Sequence, residues 1–410
     1  METESDPFHR GSLIESTRKK RLTPLGRIDN RPPEFMPDLL KQQELLDKPG
    51  LSSVKVGLMA FKPLDLTSFP FDYENDVDAL KRLYRDHKLD SIINRNMSDL
   101  EKMSALMVYT YNFMNGGKMP SPGESVPSAV VITRLRREKG IGGGSGQYAA
   151  LFCQLALSCG YSARIVGMHT LDDNGEPLTH NVCEVYMRGY DKWVVFDTFS
   201  DATYYLRDGI PQSALELRML MLDTLYRDIM PVSLLGDFTD VLKFREELLP
   251  RYRYLYIWRM NDILGRSGRN TSIPWEALYQ AHLVWEDEYS PVSEGGFGKL
   301  AKFNHPDNPD YPLDGVRYVA HDAKDFDWSL NTVAVRVERL ADEKVRIWMD
   351  TITPNFSYFS LKLEVEQEKY DYKVRKNYID LDMVYFDLFV RPVNKLGHGG
   401  SVSNVLLTNL

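Results

Sequence analysis

Gly142-Gly-Gly-Ser-Gly-Gln-Tyr-Ala-Ala-Leu-Phe152 is the stretch on which the reading of this chain turns. Glycines at 142 to 144 and 146 allow a tight turn, and from Gln147 to Ser158 the apolar set Ala150, Leu151, Leu155 and Ala156 predicts a buried helix. Cys159-Gly160 closes it. Ser145 therefore stands where a glycine-rich turn enters a helix, beside backbone N–H groups that have no partner within the helix.

Downstream of this helix the pattern changes to strands. Ala163-Arg-Ile-Val-Gly-Met168 reads as one, and Asp172-Asp-Asn-Gly175 is a turn. His180-Asn-Val-Cys-Glu-Val-Tyr186 and Trp193-Val-Val-Phe-Asp-Thr198 follow as two more strands, joined through Arg188-Gly-Tyr-Asp191 in a hairpin-like arrangement. A helix backed by an antiparallel sheet is an α+β core. If the three pieces converge, Ser145, His180 and Asp197 make a set of nucleophile, base and orienter.

Upstream, apolar residues recur at helical spacing over residues 73–87 and 98–114, the second opened by a capping box at Ser98-Asp-Leu-Glu101. Gly116-Gly117 and Pro120-Ser-Pro-Gly123 mark a loop, and Ala129-Val-Val-Ile-Thr-Arg-Leu135 is read as a short helix.

Four motifs stand in order: Gly143-Gly-Ser145-Gly-Gln-Tyr148-Ala149, Gly160-Tyr-Ser-Ala163-Arg164-Ile-Val166, His180-Asn-Val-Cys-Glu184-Val185 and Trp193-Val-Val-Phe-Asp197. Together they resemble the transglutaminase-like core, the family that includes transglutaminases, bacterial peptidase-like proteins and peptide N-glycanases. The resemblance implies a papain-like fold and cysteine-dependent acyl transfer or amide hydrolysis, with no metal or organic cofactor. It implies a peptide, protein or small-molecule amide as substrate. His180 would be the base and Asp197 its orienter, with Gly144, Gly146 and Gln147 supporting the turn and the oxyanion, and Glu184 and Arg164 standing behind them.

The departure from the family pattern falls on Ser145, which occupies the position of the nucleophilic cysteine. A thiolate forms readily at a helix N-terminus beside an imidazolium, whereas a serine hydroxyl must lose its proton to the base during attack. Three readings follow: a serine substituted for cysteine, which keeps the fold and disables or weakens the enzyme; a native Ser-His-Asp enzyme; or a binding or scaffold protein that retains the fold.

Each residue also has a plainer reading. Ser145 could be a helix N-cap, His180 a strand histidine satisfied by a neighbour, Asp197 a strand-ending turn residue and Glu184 a structural partner of Arg164. Glu184 shares a strand face with His180 by alternation, and Cys183 faces the other way. Cys153 and Cys159 fall in the apolar helical pattern and read as core. Three cysteines at these spacings predict neither a disulfide framework nor a zinc site.

The 410 residues are expected to form more than one domain. We read residues 1–50 as an irregular leader, 51–215 as the core, 216–315 as a helical, aromatic-rich extension and linker, and 316–410 as an immunoglobulin-like β-sandwich. The last assignment rests on alternating runs such as Val333-Ala-Val-Arg-Val337 and Phe359-Ser-Leu-Lys-Leu-Glu-Val365. Arg251-Tyr-Arg-Tyr-Leu-Tyr-Ile-Trp258 fits helix or strand.

A net charge of −8 and a pI near 5.6 argue against a nucleic-acid binder, and the basic run Arg18-Lys-Lys-Arg21 reads as a solvated tail. No apolar run is long enough to span a bilayer, and the first residues lack a signal peptide's apolar segment, so a soluble, cytoplasmic protein is expected.

Overall fold

Local sequence explains why the core helices start and stop where they do. Ser98 and Glu101 close the expected capping box, with Ser98 Oγ accepting from Glu101 N at 3.3 Å and Glu101 Oε2 accepting from Ser98 N at 2.6 Å. The helix that follows runs over Asp99–Met114. The next one reaches Lys139, beyond the expected Leu135, because Arg136, Arg137 and Lys139 suit the negative end of a helix and Gly140 supplies the left-handed stop at φ 68°.

The computed structural model describes residues 23–24, 54–60, 69, 71–121, 128–171, 177–223, 227–236, 249–264, 282–289, 317–340, 344–365, 367–382 and 386–409. Among them the helices are α1 (Val77–Asp86), α2 (Asp99–Met114), α3 (Ala129–Lys139), α4 (Ser145–Ser158), α5 (Ala214–Leu222) and α6 (Ala323–Phe326). The strands are β1 (Thr23–Pro24), β2 (Val54–Ala60), β3 (Ala163–Leu171), β4 (Pro177–Met187), β5 (Lys192–Asp197), β6 (Thr203–Arg207), β7 (Ile210–Pro211), β8 (Met230–Ser233), β9 (Tyr254–Trp258), β10 (His282–Trp285), β11 (Arg317–Ala320), β12 (Val333–Arg339), β13 (Lys344–Thr351), β14 (Phe356–Val365), β15 (Glu368–Val374), β16 (Tyr378–Asp382), β17 (Phe386–Asn394) and β18 (Ser403–Asn409).

The fold is α+β, as the sequence predicts, with helices on a large, mainly antiparallel sheet and further all-β sheets in the C-terminal region. The large sheet has the order β1-β11-β10-β9-β3-β4-β5-β6-β7, with β8 pairing β6. Among the described strands of this sheet only the β10–β11 pair is parallel. α4 packs against β3 and β4 and against α1, α2 and α3, and its residues from Gln147 to Ser158 are all buried. Each large apolar side chain on it contributes about 1.5–3 kcal/mol by leaving water. That burial is what fixes the helix start in place.

The chain divides into two compact units. One holds strand β1 and the described residues from 69 to Trp328; the other holds β2 and those from Ser329 onward. In the second unit β12-β13-β16 and β15-β14-β17-β18-β2 form two sheets that share one apolar core, in which Val335, Ile347, Leu361, Leu388 and Val405 are fully buried. Two sheets packed on one core make the sandwich expected in the C-terminal region, but β11 and α6, within the expected 316–410, fall in the first unit instead. Its edge strand β2 comes from residues 54–60, ahead of the helices.

The stretch read as a helical extension over 216–315 is otherwise. Its described residues contain the end of α5, then strands β8, β9 and β10, the last two continuing the large sheet. Residues 251–258, which fit either period, become a short 3-10 turn and then β9, because Leu255, Tyr256, Ile257 and Trp258 are buried in succession, the pattern of a strand covered on both faces. The sheet continues to β11, past the expected end of the core at 215. Apart from Thr23–Pro24, the expected leader lies outside the described residues, as does the turn at 172–175. Among the described residues no helix is long and apolar enough to cross a membrane.

Candidate active site

The turn before α4 is held by its own glycines. Gly143 sits at φ 141°, and a Cβ there would come within 2.8 Å of the Gln147 side chain, so no larger residue fits. Gln147 uses that proximity: its Oε1 accepts from Gly144 N at 2.9 Å, capping the helix start in place of a serine or aspartate. Gly142 lies backbone to backbone on Gly117, where a Cβ would meet Met114 O at 2.8 Å. Lys118 N donates to Gly140 O at 2.9 Å and Gly142 N to Lys118 O at 2.8 Å. Arg136 secures the same junction, donating to Phe113 O, Gly140 O and Asn115 O. The Gly116-Gly117 pair, read from sequence only as a loop, is thus half of this clamp.

Ser145 opens α4, with its hydroxyl at the positive end of the helix. Its Oγ accepts from the backbone N–H of Asn181 at 3.2 Å, next in sequence to His180. His180 Nε2 lies 2.7 Å from Asp197 Oδ2, with both side chains buried. The carboxylate therefore engages Nε2 and leaves Nδ1 as the other ring nitrogen. Asp197 Oδ1 accepts from Ser200 N at 3.1 Å. Burial raises the Asp197 carboxyl, but His180 and the Ser200 hydrogen bonds outweigh it and hold the group below the ordinary aspartate range.

Behind Asp197 stand two fully buried tyrosines, Tyr205 and Tyr252, their rings edge to face at 6.1 Å. Burial pushes the Tyr205 phenol well above its ordinary value, and its contacts with Tyr252 and Asp197 add to this, so it stays neutral against the carboxylate. In front, Phe199 packs its ring 6.0 Å from His180 and 5.2 Å from Tyr148, which in turn meets Tyr111 at 6.1 Å. Neither layer was anticipated; Phe199, an aromatic two residues past Asp197, was the one available clue.

Glu184 and Arg164 come together, but apart from His180. Glu184 Oε2 accepts from Arg164 Nε at 2.8 Å and Nη2 at 2.6 Å, and Oε1 accepts from Ala214 N at 2.7 Å at the start of α5. Arg164 also donates to Phe326 O and Asp327 Oδ1, and its guanidinium lies 4.0 Å from the Trp193 ring centroid and 4.5 Å from that of Trp328. This fully buried pair braces β3, β4 and α5 from below. Cys183 is buried and interacts with Cys153 of α4, and burial pushes its thiol far up, so it offers no nucleophile. Cys159 is likewise raised by burial, to about 12.

Comparison with known proteins bears on the same segment. Residues 86–198 match the family model of the transglutaminase-like superfamily. The crystal structure of red sea bream transglutaminase is similar at 10% identity and a TM-score of 0.23, over 90% of this chain and 64% of that one, so the chain spans less than two thirds of its length. No curated protein matches the chain in sequence. With the clamped glycine turn, the buried α4 and strands β3 to β5 all inside the matched segment, residues 86–198 form a core of the transglutaminase-like superfamily.

Proposed function

We propose that this core is built for acyl transfer or hydrolysis at an amide, with residue 145 as nucleophile, His180 as base and Asp197 as orienter. The observation that carries the reading is the meeting of three elements: the α4 start, the β4 amide that holds Ser145 Oγ at 3.2 Å, and the His180–Asp197 pair at 2.7 Å. In the reaction His180 takes the proton of residue 145 as its heavy atom bonds to the amide carbon. The oxyanion so formed lies at the helix start, where the N–H groups of residues 145 and 146 are the natural donors. Collapse breaks the C–N bond, and the proton passes from His180 to the leaving amine. Water or a second amine then attacks the acyl-enzyme, giving its proton to His180, which returns it to residue 145.

With serine at 145 the first step is the weak one. A hydroxyl lacks the low pKa that lets a thiol reach its anion beside an imidazolium, so this chain binds its amide and turns it over slowly or not at all. Replacing Ser145→Cys is expected to create amine release from a peptide amide, and His180→Ala in that background to abolish it. If Ser145→Cys releases no amine and is not alkylated faster than a free thiol, the assignment of residue 145 fails. Labelling of the unaltered chain by a fluorophosphonate would instead make serine the working nucleophile.

A further inference from the structure

Two exposed apolar side chains lie beside parts of the candidate site, one next to Gly144 and one against His180. Met119 follows directly on Lys118, whose backbone pins the glycine turn, and is 71% exposed. Its Cε lies 3.8 Å from where a Cβ on Gly144 would stand, one residue from Ser145. Phe199 is 43% exposed while its ring is held against both Tyr148 and His180. Leaving such groups in water forgoes the gain that burial would bring. Exposed apolar residues scattered singly need no cause, but one beside the turn that carries Ser145 and another against the His180 imidazole do.

The positions are also held. Tyr148 is buried between Tyr111 and Phe199, and the Tyr111 hydroxyl donates to Asp201 Oδ1 at 3.3 Å. Ser233 Oγ donates to Asp201 O at 3.1 Å and Leu234 N to Ala202 O at 3.2 Å, fixing the turn that carries Phe199 from behind. Leu235, on that same supporting loop, is 41% exposed. Asp201, the charged group next to Phe199, is thus engaged by Tyr111 and the loop.

We propose that Phe199, together with Met119, forms a recognition shelf that selects amides whose acyl side chain, next to the reacting carbonyl, is large and apolar, with an aromatic ring preferred. This rests on residue 145 being the attacking position. An aromatic side chain would lie against the Phe199 ring edge to face or offset, adding to the area it buries. A carboxylate-bearing side chain in the same place would lose its water against an aromatic ring. Specificity here is a matter of transition-state affinity, and a ring against a methyl group is worth about tenfold to a hundredfold in an apolar pocket.

The test uses the full chain carrying Ser145→Cys, with acyloxymethyl ketone probes built on N-acetyl-phenylalanine, N-acetyl-alanine and N-acetyl-glutamate, and iodoacetamide as a probe without a side chain. Labelling by the phenylalanine probe is expected to run about tenfold faster than by the alanine probe, and faster still than by the glutamate probe. In the Phe199→Ser background the phenylalanine-to-alanine ratio should fall to within about twofold of unity. A ratio that stays high in Phe199→Ser and in Met119→Ser, or a glutamate probe that reacts fastest, overturns the shelf. Failure of iodoacetamide itself would strike the nucleophile assignment and not the shelf. In that case saturation-transfer NMR of N-acetyl-phenylalanine amide on the unaltered chain decides, since the shelf requires binding that Phe199→Ser removes.

Discussion

On the proposed reading the chemistry at Ser145 turns on one atom, oxygen in place of sulfur, set on a turn that tolerates very little change around it. Gly143 has no room for a Cβ and sits in the left-handed half of backbone space. Gly143→Ala is expected to cost about 1–3 kcal/mol and to displace Gln147 from Gly144 N, lowering the thermal midpoint as well as the reactivity of a Ser145→Cys chain. Gly140→Ala, at a left-handed cap with open space around it, should cost no more than about 1 kcal/mol and leave the site unmoved, which separates strain at the turn from strain in general. Asp197 gives a second residue-scale prediction. Its carboxyl is held below the ordinary aspartate value of 3.8, so its contribution to stability is complete above that pH and is lost as the pH falls through the lower, folded-state value. Asp197→Asn should therefore remove part of the acid-induced loss of stability below about pH 4, measured by denaturation at a series of pH values.

At the scale of elements, two buried polar clusters hold the frame around the site. His87 caps the end of α1 and reaches α2 through Tyr109 at 2.8 Å and α3 through Thr133 at 2.9 Å. Burial, with Arg137 nearby, lowers its pKa from 6.5 to about 4, so it is neutral in the folded protein at neutral pH. The sign follows: the unfolded chain takes up a proton near 6.5 before the folded one does, so stability is full above 6.5, falls as pH drops, and levels off below about 4. That interval is worth at most about 3 kcal/mol. His87→Phe should flatten the pH slope of the unfolding midpoint between 6.5 and 4 while lowering stability at pH 7, and an unchanged slope would contradict the account. The Arg164–Glu184 pair is the second cluster, and Glu184→Ala, which leaves a fully buried guanidinium with Asp327 as its remaining carboxylate, should cost at most about 3–5 kcal/mol.

These elements also mark what the sequence could and could not convey. The helices α1 to α4 and strands β3 to β5 were legible because apolar period, capping residues and glycine stops agreed locally. Glu184 and Arg164 were legible as a pair, since alternation and the β3–β4 register bring them opposite each other. What stayed hidden was long-range. Asp327 meeting Arg164 from 163 residues away, Gly117 beneath Gly142, and Phe199 against His180 have no local signature. Residues 254–258 carried no periodicity to separate helix from strand, because burial on both faces erases it.

Over the whole molecule, the chain lays down β2 before the core helices and returns at Ser329 to finish the unit to which β2 belongs. Sequence order conceals this, since β2 and β18, with Ala60 paired to Asn404 and Val54 to Asn409, must meet from opposite ends of the chain for this sheet to have its fifth strand. A fragment of residues 329–410 would leave the β18 edge without its partner, and such an edge invites association with other chains. That fragment is expected to aggregate or self-associate in sedimentation velocity, and supplying a peptide of residues 52–62 in trans should suppress it; a stable monomer without the peptide would contradict the pairing.

The central claim is that residue 145 stands in a site made to ionise a nucleophile, and the pH dependence of alkylation in the Ser145→Cys chain tests it most directly. The account predicts a thiol that reacts with iodoacetamide at a rate already on its plateau at about pH 6, well below the ordinary thiol value of about 8.5, with His180→Ala returning the profile to that ordinary value. A single ionisation near about 8.5 in Ser145→Cys itself, unaltered by His180→Ala, would contradict it.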